Sequence, residues 1–109
     1  MRTERAGESF VLVLEGELDL SSAERVRETL VGAIGGGERS VLVDMLECTF
    51  VDSTGLGVLL HSAKRLDGEG QMAIACVDEQ IRRLFGLTMI DRTIPVFASR
   101  DEALAHLSG

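Results

Sequence analysis

The segment Asp52-Ser53-Thr54-Gly55 carries the strongest candidate for chemistry in this sequence. Strand-like Phe50-Val51 precedes it, and Leu56, Leu59, Leu60, Ala63 and Leu66 follow at helical spacing, so Ser53 or Asp52 falls at or near a helix N-cap. Free backbone N–H groups and the positive end of the helix dipole then surround the Ser53 hydroxyl, and a phosphate placed there would be well held. The plainer reading is that Asp and Ser are ordinary N-cap residues and that Gly55 only permits close packing.

Other chemistries fare worse. A hydrolase nucleophile elbow is Gly-x-Ser-x-Gly, and Val51 stands where its first glycine belongs. His61 lies two helical turns beyond Ser53, roughly 12 Å along the axis at 1.5 Å per residue, too far to act as its base. His106 has no neighbour in sequence to orient it, and both histidines read as surface or half-buried residues. Neither Gly35-Gly36-Gly37 nor Gly55-Leu56-Gly57 continues into the Lys-Ser/Thr of a P-loop or completes Gly-x-Gly-x-x-Gly, so no bound nucleotide or other cofactor is expected. Carboxylates are plentiful but scattered over helix positions, the pattern of a solvated face, and no metal site is expected. Asp19 closes Gly16-Glu17-Leu18-Asp19 ahead of the first helix. It is either a turn former or a neighbour of the Asp52-Ser53 loop, since both follow strands and reach the carboxyl edge of an α/β sheet.

The elements that must hold these residues alternate along the chain. Phe10–Glu15 reads as a strand. Ser21 and Glu24 have the spacing of a capping box, and Ala23, Val26, Leu30, Ala33 and Ile34 give one buried helical face, stopped by Gly35-Gly36-Gly37. Ser40–Met45 contains the continuous apolar run of a strand covered on both faces. The helix after Ser53 ends at Asp67-Gly68-Glu69-Gly70, and Met72–Val77 is a third core-type strand. Asp78 is placed to cap a short helix through Phe85. Pro95 opens a last short strand ending near Phe97, and Ser99 with Glu102 forms a second capping box before the final helix. The order β, α, β, α, β, α, β, α predicts a single α/β domain over residues 1–109, with four or five strands, a largely parallel sheet and about four helices. Whether a further strand forms at Thr3–Ala6 stays open.

Composition narrows the function classes. The chain has 109 residues, the size of one domain, and is 45% hydrophobic, enough for one core. Eleven basic residues against 18 acidic ones give a formal charge of −7, which argues against nucleic acid or an anionic membrane as partner. Trp and Tyr are absent, so a base-stacking platform is not expected. No apolar run approaches the roughly 18 residues of a spanning helix, and Met-Arg-Thr-Glu-Arg is too charged for a signal peptide. Cys48 and Cys76 lie in strand-like segments and read as buried free thiols, with the cytoplasm as the natural compartment.

Two segments together resemble the anti-sigma factor antagonists, single STAS domains of bacterial partner-switching systems. One is Leu14-Glu15-Gly16-Glu17-Leu18-Asp19; the other runs from Val43-Asp44-Met45 through Phe50-Val51-Asp52-Ser53-Thr54-Gly55-Leu56-Gly57-Val58-Leu59. Ile81–Leu87 and Glu102-Ala103-Leu104 also look like the family's end, so the likeness covers nearly the whole chain. The resemblance implies a transcription regulator of stress responses, without catalysis of its own. Its unmodified form would bind an anti-sigma factor that is also a GHKL-type serine kinase, so releasing the sigma factor. ATP-dependent phosphorylation of Ser53 would end that contact, and a phosphoserine phosphatase would restore it. Carried onto this chain, Ser53 is the phosphoacceptor, Asp52 and Thr54 flank it in the partner interface, Gly55 keeps the helix start open, and Asp19 contributes to docking.

The sequence departs from the family in two places. The polar segment ahead of Phe10 leaves the first edge strand in question, and Thr54 stands where some members have a second serine. The competing reading is a cytoplasmic STAS subunit of a membrane-transport assembly, a docking module that needs no serine switch. The absence of an exposed apolar stripe points to a monomer.

Overall fold

The computed structural model describes residues 1–66 and 68–108. The described residues form strands β1 (Arg2–Ala6), β2 (Ser9–Leu18), β3 (Ser40–Val51), β4 (Gln71–Ala75) and β5 (Val96–Phe97). The helices are α1 (Leu20–Gly35), α2 (Ser53–Lys64), α3 (Glu79–Leu87) and α4 (Arg100–Ser108), with a 3₁₀ turn at Ile90–Arg92. The sheet runs β1-β2-β3-β4-β5; β1 is antiparallel to β2 and every other pair is parallel.

The period of two along each strand divides the core. Leu12, Leu14, Val41, Val43, Met45, Met72 and Ile74 point into the larger layer, with Val26 and Leu30 of α1, Leu59 of α2 and Phe85 of α3. Val11, Val13, Leu42, Ala73 and Ala75 point the other way, onto Ala103 and Leu107 of α4. The middle strands are thus apolar on both faces, as their continuous hydrophobic runs require. Cys48 and Cys76 are buried free thiols, and burial pushes both above the ordinary thiol range.

Several expected boundaries move. A first strand does form. The two-residue connection Gly7-Glu8, with Gly7 at φ +61°, returns it against β2 as a hairpin. Its residues are almost all polar because it is an edge held by main-chain bonds and ion pairs: Arg2 to Glu15 at 2.9 Å, Arg100 to Glu4 at 2.8 Å, and Arg5 to Glu38. Strand β2 continues past Glu15 to Leu18, with Gly16 at φ +79° and the register against β3 shifting on either side of it. Strand β3 likewise runs on to Val51, six residues beyond the expected end.

The expected Ser21/Glu24 capping box is replaced. Asp19 is the N-cap of α1, and the box partner is Ser22, whose Oγ accepts from the Asp19 amide at 3.0 Å. Glu24 instead pairs with Arg27 one turn on. Asp78 does cap α3, accepting from the Ile81 amide at 3.0 Å, and Ser99 Oγ accepts from the Glu102 amide at 3.1 Å. Asp67 of the expected α2 stop lies outside the described residues.

Two polar groups are buried in this frame. Asp44 sits on the α4 side of β3; its Oδ2 accepts from Arg100 Nε at 3.0 Å and Nη2 at 2.7 Å, and its Oδ1 from the Leu46 amide at 3.1 Å. Ser62 in α2 is fully buried, and its Oγ has no hydrogen-bond partner among the described residues. An orphaned hydroxyl costs more than its apolar replacement. Ser62→Ala is therefore expected to keep the melting temperature or raise it by a few degrees, about 1 kcal/mol at most. A clear fall in thermal melting would show that the hydroxyl is bonded after all.

Candidate functional site

The parallel strands β2, β3 and β4 end at one edge of the sheet, where α/β proteins place their sites. Leu18 and Val51 are register partners at the ends of β2 and β3, so the two loops leaving them run side by side. One loop delivers Asp19 and α1, the other Asp52 and α2. The Asp52 amide donates to the Leu18 carbonyl at 3.1 Å, stitching the loops together.

Asp52, not Ser53, is the N-cap of α2. Its Oδ1 accepts from the Gly55 amide at 2.9 Å and its carbonyl from the Leu56 amide at 3.0 Å. Its Oδ2 reaches across to the other loop and accepts from the Leu20 amide at 3.1 Å. A single carboxylate therefore satisfies orphan donors at the start of two helices. Ser53 and Thr54 occupy the first two helical positions, ahead of the first intrahelical bond, and both are exposed.

Gly55 is buried against Leu18 so closely that a Cβ there would lie 2.6 Å from the Leu18 carbonyl oxygen and 2.7 Å from Leu18 Cγ. Its role is close approach. Asp19 is half-buried, and the Ser21 hydroxyl at 2.6 Å, ahead of the Ser21 and Ser22 amides, holds its carboxyl below the usual aspartate range. The sign follows: this cap is retained as pH falls through the ordinary aspartate range and is lost only below it.

All five residues singled out in the sequence, Asp19, Asp52, Ser53, Thr54 and Gly55, come together at this edge. His61 and His106 are both exposed, and His106 packs its ring 5.2 Å from that of Phe97. Sequence reasoning missed Leu18, the wall against Gly55, and Leu20, whose amide Asp52 holds. Leu20 left one signal: it is a large apolar residue beside Asp19, outside the stripe Ala23, Val26, Leu30, Ile34 that α1 buries. Among the described residues no group of three His, Cys, Asp or Glu side chains is placed to hold a metal ion. None of the described helices is long and apolar enough to cross a membrane.

A protein-family model described as the STAS domain matches residues 1–103. The anti-sigma-B factor antagonist of Staphylococcus epidermidis is 35% identical over 74 residues, covering 67% of this chain and 68% of that protein. Among solved structures, an anti-sigma factor antagonist from Mycobacterium paratuberculosis superposes with a TM-score of 0.93 at 22% identity, covering 99% of this chain and 92% of its own. The anti-sigma factor antagonist SpoIIAA in its unphosphorylated form gives 0.78 at 24% identity, covering 99% and 97%. A structure of the same determinant from Bacillus in its phosphorylated form gives 0.75 at 24% identity, covering 96% of both chains. At these identities the structural matches speak for the fold.

Proposed function

The chain belongs to the STAS domain family, and on that premise we propose that it is an anti-sigma factor antagonist switched at Ser53. The unmodified protein binds an anti-sigma factor that is also a GHKL-type serine kinase, in the cytoplasm, and so frees a sigma factor. The kinase transfers the γ-phosphoryl group of its own ATP to Ser53 Oγ: the Oγ–P bond forms, the bond to ADP breaks, and the hydroxyl proton passes to a base of the kinase. A phosphoserine phosphatase reverses the mark. This chain supplies the acceptor and the docking surface, and no catalytic group.

The observation that carries the reading is the separation of roles in Asp52-Ser53. The neighbouring aspartate does the capping, so Ser53 stands exposed at the positive end of α2 with its hydroxyl not needed for the cap. A phosphate there adds about −1.5 to −2 charges. The helix start accommodates it, whereas a partner surface fitted to a neutral hydroxyl meets a desolvated dianion. A loss of about 3 kcal/mol weakens binding more than a hundredfold.

The test is capture of partners from host lysate, with ADP present and mass-spectrometric identification, using wild type, Ser53→Ala and Ser53→Asp. Wild type and Ser53→Ala are expected to retain a small ATP-binding kinase, and Ser53→Asp to lose at least about tenfold. Because Ser53 is not the cap, Ser53→Ala is expected to melt within about 0.5 kcal/mol of wild type. Purified kinase and ATP should phosphorylate wild type but not Ser53→Ala. Equal kinase retention by wild type and Ser53→Asp would sink the charge-exclusion mechanism, and transporter components retained by both would favour the docking-subunit reading.

A further inference from the structure

The exposed large apolar side chains among the described residues include Leu20, Phe50 and Val77, at the carboxyl ends of three adjacent strands, the edge that carries Ser53. Leu20 is the most exposed of the three. The residue is 75% exposed. Its backbone amide is tied by Asp52 Oδ2, a residue 32 positions away, at 3.1 Å.

The Asp52 bond to the Leu20 amide serves the start of α1, but the exposure of the leucine side chain serves no part of the fold. Burying a leucine is worth about 1.5–3 kcal/mol, which this position forgoes. The first residue of a helix needs no apolar group, and α1 already buries Ala23, Val26, Leu30 and Ile34 on its other side. A solvent-facing leucine whose backbone is anchored beside an exposed serine is instead suited to a binding surface, because the ordering cost of the backbone is met before the partner arrives.

Resting on the reading of Ser53 as a switched partner-binding site, we propose that Leu20 is an apolar anchor of that same surface and that Asp52 is its positioning residue. One carboxylate, holding the Gly55 amide with one oxygen and the Leu20 amide with the other, makes the phosphoacceptor loop and the anchor a single rigid unit. The occupant is a different protein with an apolar socket rimmed by Lys or Arg. Asp19 and Asp52 flank Leu20 in the structure, and Glu17 pairs across the strands with exposed Phe50. A second copy of this chain, itself at −7, would bring the same carboxylates face to face.

Leu87 provides a matched control, since it is 74% exposed but lies at the far end of α3. The photocrosslinking residue p-benzoylphenylalanine is placed at position 20 or at position 87 of the full chain, with Ser53 or with Ser53→Asp, and irradiated in host lysate. The expected result is an adduct from position 20 with a protein that wild type retains, lost with Ser53→Asp and not formed from position 87. Leu20→Ala is expected to cut retention of that protein at least tenfold, which is about 1.4 kcal/mol, with melting unchanged.

The positioning role is read without any partner, by amide hydrogen exchange. Asp52→Ala leaves neither acceptor oxygen, so the Leu20 amide should exchange at least tenfold faster while core amides such as that of Val43 stay protected. Unchanged Leu20 exchange would overturn the positioning role. Capture that responds to Ser53→Asp but not to Leu20→Ala, or equal adducts from positions 20 and 87, would overturn the anchor and leave the switch standing. A position-20 adduct indifferent to Ser53→Asp would keep the anchor and remove the switch.

Discussion

Gly55→Ala is expected to cost about 3 kcal/mol, the upper end of the usual penalty for overpacking. The added methyl group would sit 2.6 Å from the Leu18 carbonyl oxygen and 2.7 Å from Leu18 Cγ. A side chain could turn aside, but the carbonyl is main chain at the end of β2, fixed by its bond from the Asp52 amide. Relief therefore requires α2 to move off the sheet, carrying Asp52 away from the start of α1. For a domain of about this size, 1 kcal/mol corresponds to roughly 4–8 °C, so the melting temperature should fall by about 12–24 °C. Whatever fraction remains folded should bind partners poorly, because the two loops have lost their register. Melting within 2 °C of wild type, at about 0.3–0.5 kcal/mol, would show that the close approach is not a constraint.

Arg100→Met should be comparably damaging, for an electrostatic reason. The Asp44 side chain is only 8% exposed, and its Oδ2 relies on two donors from the Arg100 guanidinium. Arg100 also reaches Glu4, which in turn pairs with Arg2, so one side chain ties the start of α4 to β3 and to the edge strand. Removing one partner of a buried ion pair leaves an uncompensated charge and typically costs about 3–5 kcal/mol. The exposed Glu4 and Arg2 members add little. The discriminating variant is Asp44→Leu combined with Arg100→Met, which removes both charges and should recover most of the loss in denaturant melts. A double variant as unstable as Arg100→Met alone would place the cost in packing of the arginine stem and not in the orphaned carboxylate.

Much of this architecture was legible in the chain. Apolar periods, caps and the lone proline together located all four helices and strands β2 to β5, because each of these leaves a local signal. The caps Asp78 and Ser99 were readable because each is followed three residues later by a donor in a segment with no rival start. The exposed serine after Asp52 was visible as well, though not which of the two residues would do the capping.

Strand β1 was legible only as an open possibility at Thr3–Ala6. An edge strand is held by main-chain bonds and by charges such as Glu4 and Arg5, whose partners, Arg100 and Glu38, lie far along the chain. The true ends of β2 and β3 were hidden for a related reason. Beyond Glu15 and Met45 the two strands pair through register shifts around Gly16, which break the alternation that a periodic pattern depends on.

The start of α1 draws the line between what the sequence by itself determined and what the tertiary structure decided. From the sequence alone, the type of each principal element, their order, and the Asp-Ser-Thr-Gly motif at a strand-to-helix junction all follow, since these rest on local periods and local caps. Locally, however, Ser21 with Glu24 and Asp19 with Ser22 are both competent boxes, and a cap is worth about 1 kcal/mol either way. The choice falls to Asp19 because a helix beginning at Leu20 presents its first amide to Asp52 Oδ2. That bond exists only once β2 and β3 have paired and set their two loops side by side, bringing together residues 32 apart in the chain.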